Sequence, residues 1–291
     1  MAPRFDLQSH STHSDGVLSA EEVVTRAADA GVELLALSDH DTVAGVSEAI
    51  AAGERAGVRV VPAVEISAID KDGTIPRELH ILSYELDHKG RALTKSLEKF
   101  LADREARTLR MAVRLRELGF ELDETELDER LAAGQPIGRP HLANAVLRAP
   151  ANAPRLKAEA IDDVGSLIRG YLIEGKPAFG LRETPTITEA VDAIHDAGGV
   201  AIWAHPFWDI SDDGEVLDAV DRFRELGIDG VEVFYVTHTR EQTDLLAKRC
   251  EELGILTTGS SDFHGPENRT FAKFLAFDTY GHQPNLGPIA G

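Results

Sequence analysis

What most constrains this chain is the way its apolar runs end. Short strand-like runs alternate with amphipathic helical stretches. They are RFDLQ, ELLALSDHD, VRVVPAVEIS and ELHILSYEL in the first third of the sequence, then GGVAIWAHP, DGVEVFY and GILTTGSSDFH in the last. Such alternation builds a mostly parallel sheet, open or closed into a barrel. Imidazoles and carboxylates sit at or near the ends of most runs. His10 and Asp15 follow the first, and Asp39-His40-Asp41 closes the second. Glu65 lies in the third and His80 in the fourth; His205, Asp262 and His264 end later ones. Parallel α/β folds gather functional groups at the C-terminal ends of their strands. These distant residues are therefore expected to converge on one rim.

The helices between the runs carry their own signals. Ser19 with Glu22, and Thr186 with Glu189, are spaced as capping boxes, and Gly31 is placed as a helix stop. The middle of the chain differs: it is polar and helical, as in KSLEKFLADREARTLRMAVRLRELGF, with no clear strand. Residues 1–90 and 181–280 are read as the barrel, 91–180 as a helical insertion, and 281–291 as a Gly- and Pro-rich tail expected to be poorly ordered. The chain has 291 residues, enough for a substantial core.

Composition narrows the partners. A net charge of −20 argues against stable binding to long nucleic acid, which needs basic surface. A small anionic substrate remains open, given a local positive site from metal ions or a few arginines. No apolar run approaches the roughly 20 residues of a membrane helix, and the N-terminus carries no apolar signal region, so a cytoplasmic protein without membrane contact is expected. The lone Cys250 excludes an intrachain disulfide and a thiolate cage. There is no P-loop, Gly-x-Ser-x-Gly or dinucleotide fingerprint.

Taken singly, each strand-end residue has a plainer reading. A histidine there is commonly structural, and Asp15 or Asp41 could cap a helix. The joint pattern is what carries weight: five imidazoles (His10, His40, His80, His205, His264) and three carboxylates (Asp15, Glu65, Asp262). Buried together without cations, the carboxylates would repel one another and the imidazoles would lack partners. Zn, Mn or Fe suit such ligands.

The motifs HSTHSDG, SDHDT, AVEIS, ELHIL, AHP and SSDFHG, in that order, resemble the PHP (polymerase and histidinol phosphatase) family, in particular its stand-alone bacterial phosphoesterases. The resemblance implies an α/β fold, a distorted (β/α)7 barrel with an inserted helical subdomain, and two to three divalent metal ions (Mn, Fe or Zn) at the C-terminal rim. It implies one metal held by His10, Glu65 and Asp262. A second would be shared by a bridging Glu65 with His80 and His205, and a third held by Asp15, His40 and His264. Asp262, His264 and His205 would then lie at the chemistry. The family opens with His-x-His, whereas Gln8 occupies the first of those positions. A neutral amide oxygen is a weaker ligand, so that metal would be loosened or absent, and the neighbouring His13 could substitute. Asp39 and Asp41 could orient His40, although capping is the reading favoured for Asp41. Gly16 is expected to permit an unusual backbone in the first loop.

Clustered divalent ions lower the pKa of a bound water and clamp phosphate oxygens, so no nucleophilic serine or cysteine is needed. The insertion supplies cations. Arg104, Arg107, Arg110 and Arg114 recur at helical spacing, most simply as a solvated face paired with glutamates. Arg139 and His141 in GRPHLAN, Lys176 in GKPAFG, and Arg107 are the candidates for gripping a second phosphate. The subgroup resemblance implies a small phosphorylated substrate: nucleoside 3′,5′-bisphosphates losing the 3′-phosphate, or short oligoribonucleotides trimmed 5′→3′. The rivals are a histidinol-phosphate phosphatase, a non-catalytic metal-binding module, and amide hydrolysis on a similar rim.

Overall fold

A computed structural model describes residues 4–73 and 75–291. In chain order the first part contains β1 (Phe5–Asp6), α1 (Ala20–Asp29), β2 (Leu34–Leu37), α2 (Val46–Ala56), β3 (Arg59–Asp70) and β4 (Arg77–Tyr84). The helices α3 (Arg91–Glu117), α4 (Thr125–Ala132), α5 (Arg139–Arg148), α6 (Ala153–Ala158) and α7 (Val164–Leu167) follow. The last part comprises α8 (Ile187–Asp196), β5 (Val200–Trp203), α9 (Pro206–Asp209), α10 (Asp213–Glu225), β6 (Gly230–Tyr235), α11 (Arg240–Leu253) and β7 (Leu256–Ser260).

The strands lie side by side in sequence order, β1 to β7. Neighbours pair in parallel except at β4, which runs antiparallel to both β3 and β5. The first and last strands approach each other: Leu7 N–H donates to Gly259 O at 3.2 Å, and Ser9 bridges Phe263. The result is a nearly closed seven-stranded barrel, with the single reversed strand as its distortion. The expected capping boxes form at Ser19 and Glu22 and at Thr186 and Glu189, and Gly31 follows α1 at φ 84°. Among the described residues no helix is long and apolar enough to cross a membrane.

The chain divides into two compact units, one running up to Leu97 and from Pro185 onward, the other Glu98–Thr184. In the first unit Val23, Val24 and Ala27 of α1 pack with Leu35 and Leu37 of β2 and with Phe263 and Phe274. In the second, Met111 and Leu115 of α3, Leu142 and Val146 of α5, and Leu167 and Leu172 make a separate apolar core.

The segment after Gly281 is ordered, contrary to the expectation from its Gly and Pro content. Asn285 exchanges backbone and side-chain bonds with Thr257 and Ile255 beside β7, and Ile289 is fully buried. Leu286 is buried as well, and Arg59 Nη1 donates to Ile289 O at 3.1 Å.

Candidate metal centre

The strand ends place the polar residues. The chain leaving β1 is held against β7 by His10 N–H donating to Phe263 O at 2.8 Å. It then turns through a loop that Asp39 fastens: Ser11 donates through its backbone N–H (2.8 Å) and its hydroxyl (2.7 Å), and Ser14 donates through its hydroxyl (2.6 Å). Asp39 thus holds the loop that carries Asp15, instead of orienting the ring of His40. Gly16 closes that loop. Its φ is not left-handed; glycine is required because a Cβ would lie 2.2 Å from His10 O. Asp41 does not cap α2, whose N-cap is Gly45; its carboxylate accepts the Ser67 N–H of β3 at 3.1 Å.

Three non-glycine residues in or beside this cluster adopt left-handed backbone: Asp41 (φ 54°), His205 (φ 30°) and Asp262 (φ 52°). Each such residue costs about 1–3 kcal/mol, and such strain clusters at functional sites. At His205 the backbone is held by its N–H donating to the buried Glu232 at 2.9 Å.

The geometry groups the side chains in three overlapping sets whose ligand atoms lie within 4.8 Å of one another: His10, Asp15, His40 and His264; His40, Glu65 and His80; and His10, Glu65 and Asp262. Glu65, fully buried, is shared. His10 Nε2 lies 3.1 Å from Glu65 Oε2 and 3.0 Å from Asp262 Oδ1, and His80 Nδ1 lies 2.6 Å from Glu65 Oε1. His205 Nε2 is 3.2 Å from the same Glu65 oxygen. The second set therefore contains His40, with His205 alongside it. His264 Nδ1–H donates to Asp262 O at 2.7 Å, which leaves the Nε2 lone pair facing Asp15, 3.6 Å away.

The electrostatics follow from this crowding. Burial would raise Glu65, but His40 and His80, then His10 and His205, hold its carboxyl well below the usual range. Burial would depress His10, yet Asp262 and Glu65 hold it well above its ordinary value. Glu232 lies behind the rim, and burial pushes it up to about 8 against the pull of His205.

The donor set fits divalent cations on an observation of this structure. His10 Nε2, His80 Nδ1 and Asp262 Oδ1 are buried and make no hydrogen bond of acceptable geometry, despite nitrogen–oxygen approaches as short as 2.6 Å. Buried polar atoms are otherwise nearly always paired. Lone pairs that converge without aligning are satisfied by a positive ion between them, and imidazole with carboxylate suits Zn, Mn or Fe.

Gln8 is turned differently from a weak ligand. Its Nε2 donates to Glu65 Oε2 at 2.9 Å, and its Oε1 lies 3.2 Å from the Ser260 hydroxyl, which also reaches Glu232 Oε1 at 2.6 Å. The amide thus meets Glu65 through its nitrogen and Ser260 through its oxygen. His13 does not replace it: its ring lies 3.9 Å from Glu48 and belongs to none of the three sets.

Sequence reasoning missed Glu232 and Tyr235. Tyr235 O–H donates to Asp262 Oδ2 at 2.8 Å, leaving Oδ1 toward His10. Both stand in DGVEVFY, where a lone carboxylate inside an apolar strand was the available signal.

Within the helical unit the cations do not form one solvated face. Arg104 and Arg107 are buried, while Arg110 and Arg114 are exposed and donate to the carbonyls of Leu181 and Phe179. His141 is buried at the start of α5, where its Nδ1 accepts the Gly138 N–H at 3.2 Å. Arg139 is half-buried and Lys176 is exposed.

Comparison with known proteins agrees with this geometry. The PHP domain model matches residues 6–135. A 5′-3′ exoribonuclease of Haemophilus influenzae is 34% identical over 266 residues, covering 91% of this chain and 92% of its own. A 3′,5′-nucleoside bisphosphate phosphatase of Chromobacterium violaceum is 31% identical, covering 98% and 93%. A solved structure described as an amidohydrolase from the same organism, with bound sulfate, superposes with a TM-score of 0.78 at 28% identity, over 98% of this chain and 93% of that one.

Proposed function

The chain belongs to the PHP domain family, and from that premise we propose that this metal-dependent phosphoesterase acts on small phosphorylated nucleotides. The reaction proposed is removal of the 3′-phosphate from nucleoside 3′,5′-bisphosphates, with 5′→3′ trimming of short oligoribonucleotides as the related activity. The observation that carries the reading is the convergence on Glu65 of His10 Nε2 and Asp262 Oδ1, buried atoms that make no hydrogen bond. The names of the relatives supply the substrate class.

Two or three divalent ions, Mn, Fe or Zn, would be held by His10, Asp15, His40, Glu65, His80, His205, Asp262 and His264. Bound there, such ions would supply acidification of a water and neutralisation of phosphate charge. The chain's own residues do the positioning. Glu65 stands at the centre, within 3.6 Å of four imidazoles. Tyr235 fixes Asp262, Glu232 fixes the backbone of His205, and Asp39 fixes the loop bearing Asp15. Supporting partners of this kind are typically worth about 10–100-fold in metal affinity or activity. Arg139 and Lys176 are the proposed cations for a second phosphate; the burial of Arg107 and His141 favours structural roles for them.

The test measures phosphate release from adenosine 3′,5′-bisphosphate by protein stripped with chelator and reloaded with Mn. Turnover is expected in the wild type and lost in Asp262→Ala. Tight metal binding with no turnover on this substrate, on short RNA or on histidinol phosphate would overturn the reading.

A further inference from the structure

Beside the metal cluster lies an aromatic ledge that none of the chemistry above uses. Trp208 sits in α9, three residues after His205, with its backbone N–H donating to His205 O at 2.9 Å. Its side chain is 51% exposed, one of five large hydrophobic residues left open among the described residues. Another of the five, Val17, lies on the same loop system, its N–H donating to His264 O at 3.1 Å.

The ledge is built rather than incidental. Phe271 is placed by Asn268, whose side-chain oxygen accepts the backbone N–H groups of Thr270 and Phe271 at 3.0 Å each. The Phe271 carbonyl then accepts the N–H of His264 at 3.0 Å. In this way one backbone bond ties the aromatic ring to a residue of the candidate metal set. The ring of Phe271 lies 5.5 Å from that of His264 on one side and 5.5 Å from that of Trp208 on the other. Tyr235, bonded to Asp262, closes the inner side at 6.2 Å. A continuous series of rings thus leads from the phosphate-handling rim out to an open indole face.

An indole left in water next to a polar site has unsatisfied apolar surface and a π-face of the right size for a flat, aromatic, heteroatom-rich group. Aromatic side chains bind nucleobases by stacking without regard to their identity, because every base has a π-face. We propose that Trp208, supported by Phe271, is the platform on which the base of the substrate stacks while its phosphate occupies the metal rim. The proposal rests on the nucleotide reading and sharpens it: selectivity for a nucleoside over a bare sugar phosphate would come from this ledge, and all four bases would be accepted.

The test pairs two substrates with two readouts. Wild type, Trp208→Phe and Trp208→Ala are assayed with adenosine 3′,5′-bisphosphate and with 1-deoxyribose 3,5-bisphosphate, which carries both phosphates and no base. Trp208→Ala is expected to lower kcat/KM for the nucleotide by about 5- to 100-fold, mainly through KM, the range of one base–aromatic stack. Trp208→Phe should restore most of it, and the base-free substrate should change by less than about twofold. The second readout needs no turnover. The other tryptophan, Trp203, is fully buried, so quenching of the exposed indole reports on Trp208 alone. Adenosine 5′-phosphate should quench it and ribose 5-phosphate should not, and the quench should vanish in Trp208→Phe.

Equal losses on both substrates, or no quench by the adenine nucleotide, would overturn the ledge. No turnover by the wild type on either substrate would count against the proposed function instead, and the quench would then decide the ledge by itself.

Discussion

Arg182 in the helical unit and the rim of the barrel both bury charge, and they do so in opposite ways. In the helical unit Arg182 is buried, and its guanidinium is matched: Nε reaches Asp103 Oδ2 and Thr184 O at 3.2 Å, and Nη2 reaches Phe100 O at 2.5 Å. At the rim of the barrel, nitrogen and oxygen approach as closely but without alignment, and His10 Nε2, His80 Nδ1 and Asp262 Oδ1 make no hydrogen bond. Buried charge that is geometrically satisfied holds a fold together. Buried charge that converges unsatisfied marks a place where something else must bind.

The largest effect should come from breaking the rim. Glu65→Gln removes one charge from the group shared by two sets. It is expected to lower kcat/KM by more than about a hundredfold, beyond the range for residues that only support a ligand. Bound metal per chain, read by elemental analysis, should fall with it; full metal content with normal activity would sink the central role of Glu65. The matching change in the helical unit acts on stability. Asp103→Ala leaves the Arg182 guanidinium buried without its carboxylate, and removal of one partner of a buried pair costs about 3 kcal/mol or more. Urea denaturation measures it, and an unchanged midpoint would show that the two carbonyls suffice.

Smaller effects test the supports. Tyr235→Phe deletes the hydroxyl that fixes Asp262 Oδ2 and should cost roughly tenfold in metal affinity. Gln8→His restores an imidazole where the amide now donates to Glu65, and should raise the number or affinity of bound ions. An unchanged titration would mean that the position no longer borders a metal. Gly16→Ala drives a methyl against His10 O and should destabilise by about 1–3 kcal/mol, read from the thermal midpoint.

The contrast also explains what the sequence could and could not disclose. The α/β alternation was legible because it is a local property, whereas closure into a barrel came from the family resemblance; most of the converging residues follow strand ends, and Glu65 and His80 lie inside β3 and β4. What escaped is what only packing decides. The reversal of β4 leaves no mark in ELHILSYEL, since a strand reads alike in either direction. Asp41 looks like a cap by position but is drawn to Ser67 by the pairing of distant strands. Gln8 occupies a ligand position in the motif, yet which end of its amide faces Glu65 depends on Ser260, 252 residues away. The arginines of α3 share a spacing but not an environment, because burial of Arg104 and Arg107 is set by what folds over them.

The faintest prediction lies in the helical unit and concerns charge at its surface. Glu159 accepts from Arg155 Nε at 2.9 Å and from the Tyr171 hydroxyl, and these bonds, the Tyr171 one foremost, hold its carboxyl below the ordinary value. A lowered folded pKa means that the folded state favours the carboxylate. The stabilisation is therefore present above the unfolded value near 4.3 and is lost as pH falls through the folded one. The group is more than a third exposed, so solvent screening limits the gain to under about 1 kcal/mol. Glu159→Gln should lower stability by that small amount at neutral pH, and the gap to wild type should close on acidification. A gap that persisted in acid would assign the loss to packing of Arg155 over the Phe120 ring, 3.9 Å away. The helical unit would then resemble the rim in one respect, with a charge whose worth lies in what it positions.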